Sequence, residues 1–274
     1  LHTFLRIFKR FGIVGAASLI AACTLLGLSS CGSSADTSKT TASVKPIETR
    51  FADAKAEYDK QDWMEAQHIF EEVRIQSPAS SIAAEATYME AMCRFKQELY
   101  TGSAVDFRAV RRNFPSSPFA MQSQYMVGES YYELSPKSVL DQTYSFYALT
   151  EYQQFLHDYP NAPQNLKDSA QFKITFLRNK LAKKVLMTAE LYVKLEEYKS
   201  AIVYFKRVLD TYYDTDSAPE SSLRLAEVAF QRHKVPDARE ALNKFEDKFL
   251  ETAPLALRQR ALELKSKLST FPTS

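Results

Sequence analysis

The chain has 274 residues, with 35 Lys and Arg against 33 Asp and Glu. So even a balance excludes the strongly basic surface of a nucleic-acid binder, and three cysteines exclude a disulfide framework. Six glycines, with prolines falling between apolar-periodic stretches, describe an all-helical composition.

Residues 1–30 read as a leader. Arg6, Lys9 and Arg10 form a positive region, residues 11–28 form an apolar run, and small residues precede a cysteine. This is the anatomy of a secretory signal peptide. The segment Leu28-Ser29-Ser30-Cys31 resembles the bacterial lipobox, in which the cysteine is acylated and becomes the new N-terminus. Ile20-Ala21-Ala22-Cys23 fits the same pattern. Cys31 is the preferred lipidation site, because cleavage before Cys23 would leave Leu25, Leu26 and Leu28 exposed, whereas the chain turns polar directly after Cys31. The competing reading is an uncleaved anchor, since the apolar run has about the length that spans a bilayer. Residues 31–45 are rich in Ser, Thr, Ala and Lys without apolar periodicity, the composition of a flexible tether. Removing the leader leaves 32 of the 35 basic residues against 33 acidic ones, so the small positive excess belongs to the leader. Cys93 is then the single thiol of the body, and a buried structural role is expected for it.

From residue 46 onward one spacing recurs five times. Eight residues before Pro78, Pro115 and Pro160 stand Phe70, Phe107 and Tyr152; twelve before stand Ala66, Ser103 and Ala148; five before stand Val73, Val110 and Phe155. The grid fits again around Tyr213, with Ala201, Phe205 and Val208, and around Leu250, with Ala238, Leu242 and Phe245. Upstream of each copy a small residue (Ala54, Ala91, Gly128, Ala189, Ala226) is followed four residues later by a larger one (Tyr58, Phe95, Tyr132, Val193, Phe230). Small residues let antiparallel helices approach, and the large ones fill the next turn. A fixed period in this range means stacked supersecondary units.

The copies run in order. Repeats one to three occupy 46–160. In the third, twenty residues separate Gly128 from Ala148, against twelve from Ala54 to Ala66, and the surplus lies at 135–142. Such an insertion maps to a loop on one face, either a neutral extension or a partner contact. Residues 161–274 hold a long helix over 166–195, free of Pro and Gly, then repeats four and five and a final helix from Pro254 to about Leu268 that closes the exposed end.

No catalytic motif is present. His68, His157 and His233 lack a second ligand at metal-binding spacing, and there is no Gly-x-Ser-x-Gly, phosphate-cradling loop or dinucleotide fingerprint. No metal, cofactor or nucleic acid is expected, and no enzyme. Arg111 and Arg112 close a helix, where positive charge favours the dipole.

The grid resembles the tetratricopeptide repeat, which implies a right-handed α-solenoid of about five helix pairs with a C-terminal capping helix. The acylated cysteine, the tether and the five repeats together resemble the repeat lipoproteins of the bacterial outer-membrane β-barrel assembly machinery. The segment 188–212, Thr-Ala-Glu-Leu-Tyr-Val-Lys-Leu-Glu-Glu-Tyr-Lys-Ser-Ala-Ile-Val-Tyr-Phe-Lys-Arg-Val-Leu-Asp-Thr-Tyr, is similar to that family's run after its long helix, although Tyr212-Tyr213 stands where the family has Tyr-Pro. The resemblance implies lipid anchoring at the periplasmic face of the outer membrane. It also implies binding of unfolded β-barrel precursors through the N-terminal repeats, and docking to the barrel-forming partner through the C-terminal ones. Tyr58, Arg94 and Tyr100 are candidates for precursor contact; Tyr204, Lys206 and Arg207 are candidates for the partner. A second reading is another periplasmic repeat lipoprotein, either a cell-envelope scaffold or a glycan-binding protein of the SusD type.

Overall fold

The computed structural model describes residues 45–272. The leader, Cys31 and all of the tether except Lys45 therefore lie outside the described residues. Among the described residues there are eleven α-helices and no strand. Repeat one is α1 (Ile47–Asp59) and α2 (Trp63–Gln76); repeat two is α3 (Ala83–Lys96) and α4 (Tyr100–Asn113); repeat three is α5 (Pro118–Glu133) and α6 (Thr143–Asp158). Then come α7 (Gln164–Lys194) and α8 (Tyr198–Thr211), α9 (Ser217–Gln231) and α10 (Val235–Phe249), and α11 (Leu255–Ser269). Each helix packs on the next in sequence, and α3 on α5, α7 on α9 and α9 on α11 also touch. That is the contact order of an all-α solenoid.

The grid positions explain the packing. Ala54, Ala66, Ala91, Ala148, Ala189, Ala201, Ala226 and Ala238 are all fully buried, as are Phe70, Phe107, Tyr152, Phe205 and Phe245. Gly128 marks the closest approach. A Cβ there would lie 2.8 Å from the Tyr152 ring, so only glycine lets α5 settle on α6.

Within four of the five repeats the two helices join through one device. Gln61, Glu98, Glu196 and His233 take positive φ values of 66°, 62°, 59° and 58°. In repeat one the Gln61 N–H donates to the Tyr58 carbonyl and the Asp62 N–H to that of Glu57, both at 3.0 Å. The same pair recurs in the other three, and it is the bond pattern that closes a helix on a left-handed residue. Two residues later the second helix begins, at Trp63, Tyr100, Tyr198 or Val235. Repeat three departs because its insertion replaces the tight turn, and α6 starts at Thr143, five residues before Ala148 rather than the three that separate Trp63 from Ala66. Serine caps are expected at the joints between repeats. Ser117 does cap α5, its Oγ accepting from Phe119 N at 3.2 Å, while α3 begins without a side-chain cap.

The long helix serves two cores. Its first half supplies Ala170, Ile174, Leu177 and Leu181 to the cluster that holds Phe107, Tyr152 and Phe155. Its second half supplies Ala189 to a separate cluster with Ala201, Phe205 and Val228. This is why Ala148 and Ala201 stand 53 residues apart, against 37 from Ala66 to Ser103: one continuous helix both covers repeat three and opens repeat four. The insertion lies against the same helix, where Lys184 Nζ donates to the Val139 carbonyl at 2.8 Å and Lys180 Nζ to Ser135 Oγ at 2.7 Å.

Candidate partner-binding surfaces

In repeats one and two the three candidate side chains brace the helices. Tyr58 meets Trp63 edge-on at 4.8 Å, and Tyr100 meets Phe95 edge-on at 5.2 Å. Burial raises both phenols above their ordinary pKa. The Arg94 guanidinium donates to Asp106 at 2.5 Å and to Glu90 at 3.4 Å, and Arg74 Nε reaches the other Glu90 oxygen at 2.8 Å. This network ties α2, α3 and α4 together. Burial pushes Glu90 and Asp106 up, with Arg74 and Arg94 respectively opposing it. The charge of Arg94 is thus engaged inside the scaffold. Exposed large apolar side chains also occur in these two repeats, at Met64, Leu99 and Val105, among charged and polar neighbours. They lie off the repeat grid, so the periodic pattern carried no signal for them.

In repeat four the candidates separate. Tyr204 stacks on Tyr192 at 5.3 Å with an interplanar angle of 22°, holding α8 to α7. Arg207 is exposed, outside the groove described next. Lys206 lines that groove, a concavity of about 310 Å³ along α8, α9 and α10. Ile202, Leu209, Leu225, Ala229 and Ala241 form its apolar part, and Lys206, Arg232, Lys234 and Lys244 face Asp237 and Glu240 around it. Lys234 lies 3.6 Å from Asp237, and Lys244 lies 2.6 Å from Glu240. Lys206 and Arg232 have no such partner among the described residues. An apolar trough with unpaired cations is suited to a segment carrying apolar and acidic side chains. Arg232 was invisible to sequence reasoning, because it lies 26 residues from Lys206 and only the stacking of α8 on α9 brings them together.

An ion ladder fixes α9, the central wall of the groove. Arg224 donates to Glu190 of α7 at 2.7 and 2.8 Å and to Glu227 at 2.7 Å. Arg260 of α11 reaches Glu227 at 2.8 Å and Glu220 at 2.8 Å. Burial disfavours the charge on Glu227, but Arg260 and Arg224 outweigh it and hold its carboxyl below the usual range. Cys93 is buried as expected, and burial pushes its thiol up to about 12. Among the described residues no cluster of His, Cys, Asp or Glu could hold a metal ion, and no helix is long and apolar enough to cross a membrane.

Residues 44–252 match the family YfiO, described as outer membrane lipoprotein. The chain is 26% identical over 223 residues to a Caulobacter vibrioides protein named outer membrane protein assembly factor BamD, covering 81% of this chain and 72% of that one. A Rickettsia prowazekii protein of the same name is 27% identical over 185 residues, 67% of this chain and 72% of its own. Among solved structures the chain is similar to a tetratricopeptide repeat protein from Parabacteroides merdae, at a TM-score of 0.36 and 14% identity, over 83% of this chain and 94% of that one. With the family pattern matched from just before the first helix to just past the tenth, the chain belongs to the YfiO family of outer membrane lipoproteins.

Proposed function

We propose that this protein is a non-catalytic scaffold of the machinery that folds and inserts β-barrel proteins into the outer membrane. A lipid on Cys31 holds it at the periplasmic face, and residues 31–45 tether the repeats to that anchor. Repeats one and two meet unfolded precursor segments on the surface braced by Tyr58, Arg94 and Tyr100. The trough of α8, α9 and α10, with Lys206, Arg232 and the neighbouring Arg207 and Tyr204, docks the barrel-forming partner. The observation that carries this reading is the family match over residues 44–252, joined by relatives named for outer membrane protein assembly. The unpaired cations of the trough support the placement of the partner.

Cutting the chain after Pro160 would separate the two ends, but it would also strip Ala170, Ile174 and Leu177 from the core of repeat three. Charge substitution in the intact chain is the cleaner test. Lys206→Glu with Arg232→Glu is expected to reduce co-purification of an outer-membrane barrel protein bearing periplasmic domains by at least about tenfold, since truncating a desolvated charge contact costs about 2–5 kcal/mol. Undiminished recovery would remove the trough from the interface, and recovery of a TonB-dependent transporter instead would favour the glycan-binding reading. For the anchor, mass spectrometry of the mature N-terminus is expected to find the lipid on Cys31 and none after Cys31→Ser. A lipid on Cys23 would overturn that assignment.

A further inference from the structure

We propose that the concavity between the 135–142 loop, α7 and the start of α9 is a docking site for an acidic, apolar-bearing segment of a partner polypeptide. This goes beyond the trough assigned above and involves none of its residues.

The cavity measures about 860 Å³ and exists because of the insertion in repeat three. The loop is held by its own bonds: Leu140 N donates to the Lys137 carbonyl at 3.0 Å, and Gln142 Nε2 donates to the same oxygen at 2.8 Å. The opposite wall is pinned as well, with the Asp216 N–H donating to Asn179 Oδ1 at 2.9 Å. The walls are therefore preformed, and binding need not order them.

Three ammonium groups, Lys137, Lys180 and Lys183, line this space against one carboxylate, Asp216. None of the three lysines forms an ion pair with a described residue. Lys180 donates to Ser135 Oγ, a neutral acceptor, and burial alone lowers its pKa. The nearby Asp214 is taken by Arg178, whose Nη2 donates to it at 2.5 Å. With Asp216 the one carboxylate in the lining, the three ammonium groups outnumber it among the described residues.

The rest of the lining sets the apolar Phe176, Val139 and Pro136 beside neutral polar groups, three serines and Asn179. Phe176 is 44% exposed and Val139 is 55% exposed, a state that leaves large side chains in water beside the lysines. A cavity of this size is in the range of ligand sites, about 300–1,000 Å³, and is larger than one phosphate or carboxylate fills. A free anion would use the lysines and leave Phe176 and Val139 wet. A segment with two carboxylates flanking an aromatic side chain satisfies both, through charge-assisted hydrogen bonds to the ammonium groups and apolar contact with the walls.

The test uses the full chain in detergent micelles and fluorescence anisotropy of a labelled nonapeptide with Asp flanking a central Phe. Binding is expected to fall at least tenfold with Lys137→Glu plus Lys183→Glu, and as much when Asn replaces Asp in the peptide. Both lysines are exposed and their ammonium groups make no hydrogen bond among the described residues, so these variants are expected to keep the wild-type circular dichroism and melting curve. Lys96→Glu with Lys199→Glu, an equal total charge change at exposed positions of α3 and α8, is expected to leave binding unchanged. Equal binding by the Lys137/Lys183 variant, by the Asn peptide, or equal loss with the Lys96/Lys199 variant would overturn the proposal. So would binding of phosphatidylglycerol vesicles that depends on Lys137 and Lys183 while the peptide fails to bind, because the surface would then serve a membrane. Competition by millimolar phosphate as effective as by unlabelled peptide would reduce the site to a simple anion sink and overturn it too.

Discussion

At the scale of single residues, the hairpin turns carry an avoidable strain. Gln61, Glu98, Glu196 and His233 each sit in the left-handed region, where a side chain costs about 1–2 kcal/mol and where glycine is the usual occupant. Glycine loses more entropy on folding, about 0.5–1 kcal/mol, so the net gain is small but of definite sign. Glu98→Gly and Glu196→Gly are each expected to stabilise the fold by about 0.5–1 kcal/mol, read as a higher urea midpoint. Neither side chain is engaged in an ion pair among the described residues, so a lower midpoint would mean that the turn geometry is otherwise constrained. The reverse case is Gly128, where the Tyr152 ring already occupies the space a methyl would need. The repeat grid in the sequence anticipated Gly128 and Tyr152, because it records which side chains a close helix pair can hold; it did not anticipate the left-handed turns, because none of the four residues is a glycine.

At the scale of elements, α7 is the decisive piece. Lys173 projects from it to Glu129 of α5, and the ammonium lies 4.9 Å from the centre of the Tyr132 ring, 5.6 Å from Tyr152 and 5.7 Å from Tyr125. The Tyr152 hydroxyl donates to the same Glu129 at 2.7 Å. With side-chain exposures of 17% and 14%, the pair is close to buried. Removing one partner of such a pair strands the other, at about 3–5 kcal/mol, whereas replacing both with apolar groups of similar volume is often neutral. Lys173→Met alone is expected to lower stability by about 3 kcal/mol, and adding Glu129→Met is expected to restore most of it. A thermal double-mutant cycle without positive coupling would show that the pair is solvated and that α7 is held by its apolar face alone. The helix itself was legible from a Pro- and Gly-free stretch with helical spacing. Its double use was not, because Ala170 and Ala189 look alike in sequence and their neighbours come from different repeats.

At the scale of the molecule, the two ends respond to acid with opposite sign. Glu90 and Asp106 in repeat two have raised pKa values, from burial against Arg74 and Arg94. A raised carboxyl contributes stability that is full below its unfolded pKa and is lost as pH rises through the folded one. Acidification therefore does not weaken repeat two through these groups. Glu227 in repeat five, held down by Arg260 and Arg224 against burial, and Asp214, held down chiefly by its hydrogen bond to Arg178, behave the other way. Their contribution is present above the ordinary carboxylate pKa of about 4 and disappears as pH falls through the lowered values. Hydrogen exchange is expected to show α9 and the α7–α9 junction losing protection below pH of about 4, before α3 and α4 do. Simultaneous loss along the whole chain would mean that the solenoid melts as one unit and that the ion ladder sets no local threshold.

What the sequence determined by itself was periodic and local. A helix face repeats its small and large residues at fixed intervals, so Ala66, Phe70 and Val73 announce a buried stripe without any tertiary knowledge, and five such stripes announce a stack. The lysines, arginines and tyrosines off that grid obey no period. Tyr204 reads the same whether it faces solvent or stacks on Tyr192, and Arg94 reads the same whether it awaits a ligand or closes on Asp106. Lys206 meets Arg232, and Lys137 meets Lys183 across 46 residues, only because stacking turns distant segments into neighbours. The repeat pattern therefore specifies the scaffold, while the placement of unpaired charge over its surface is decided by how the helices lean on one another.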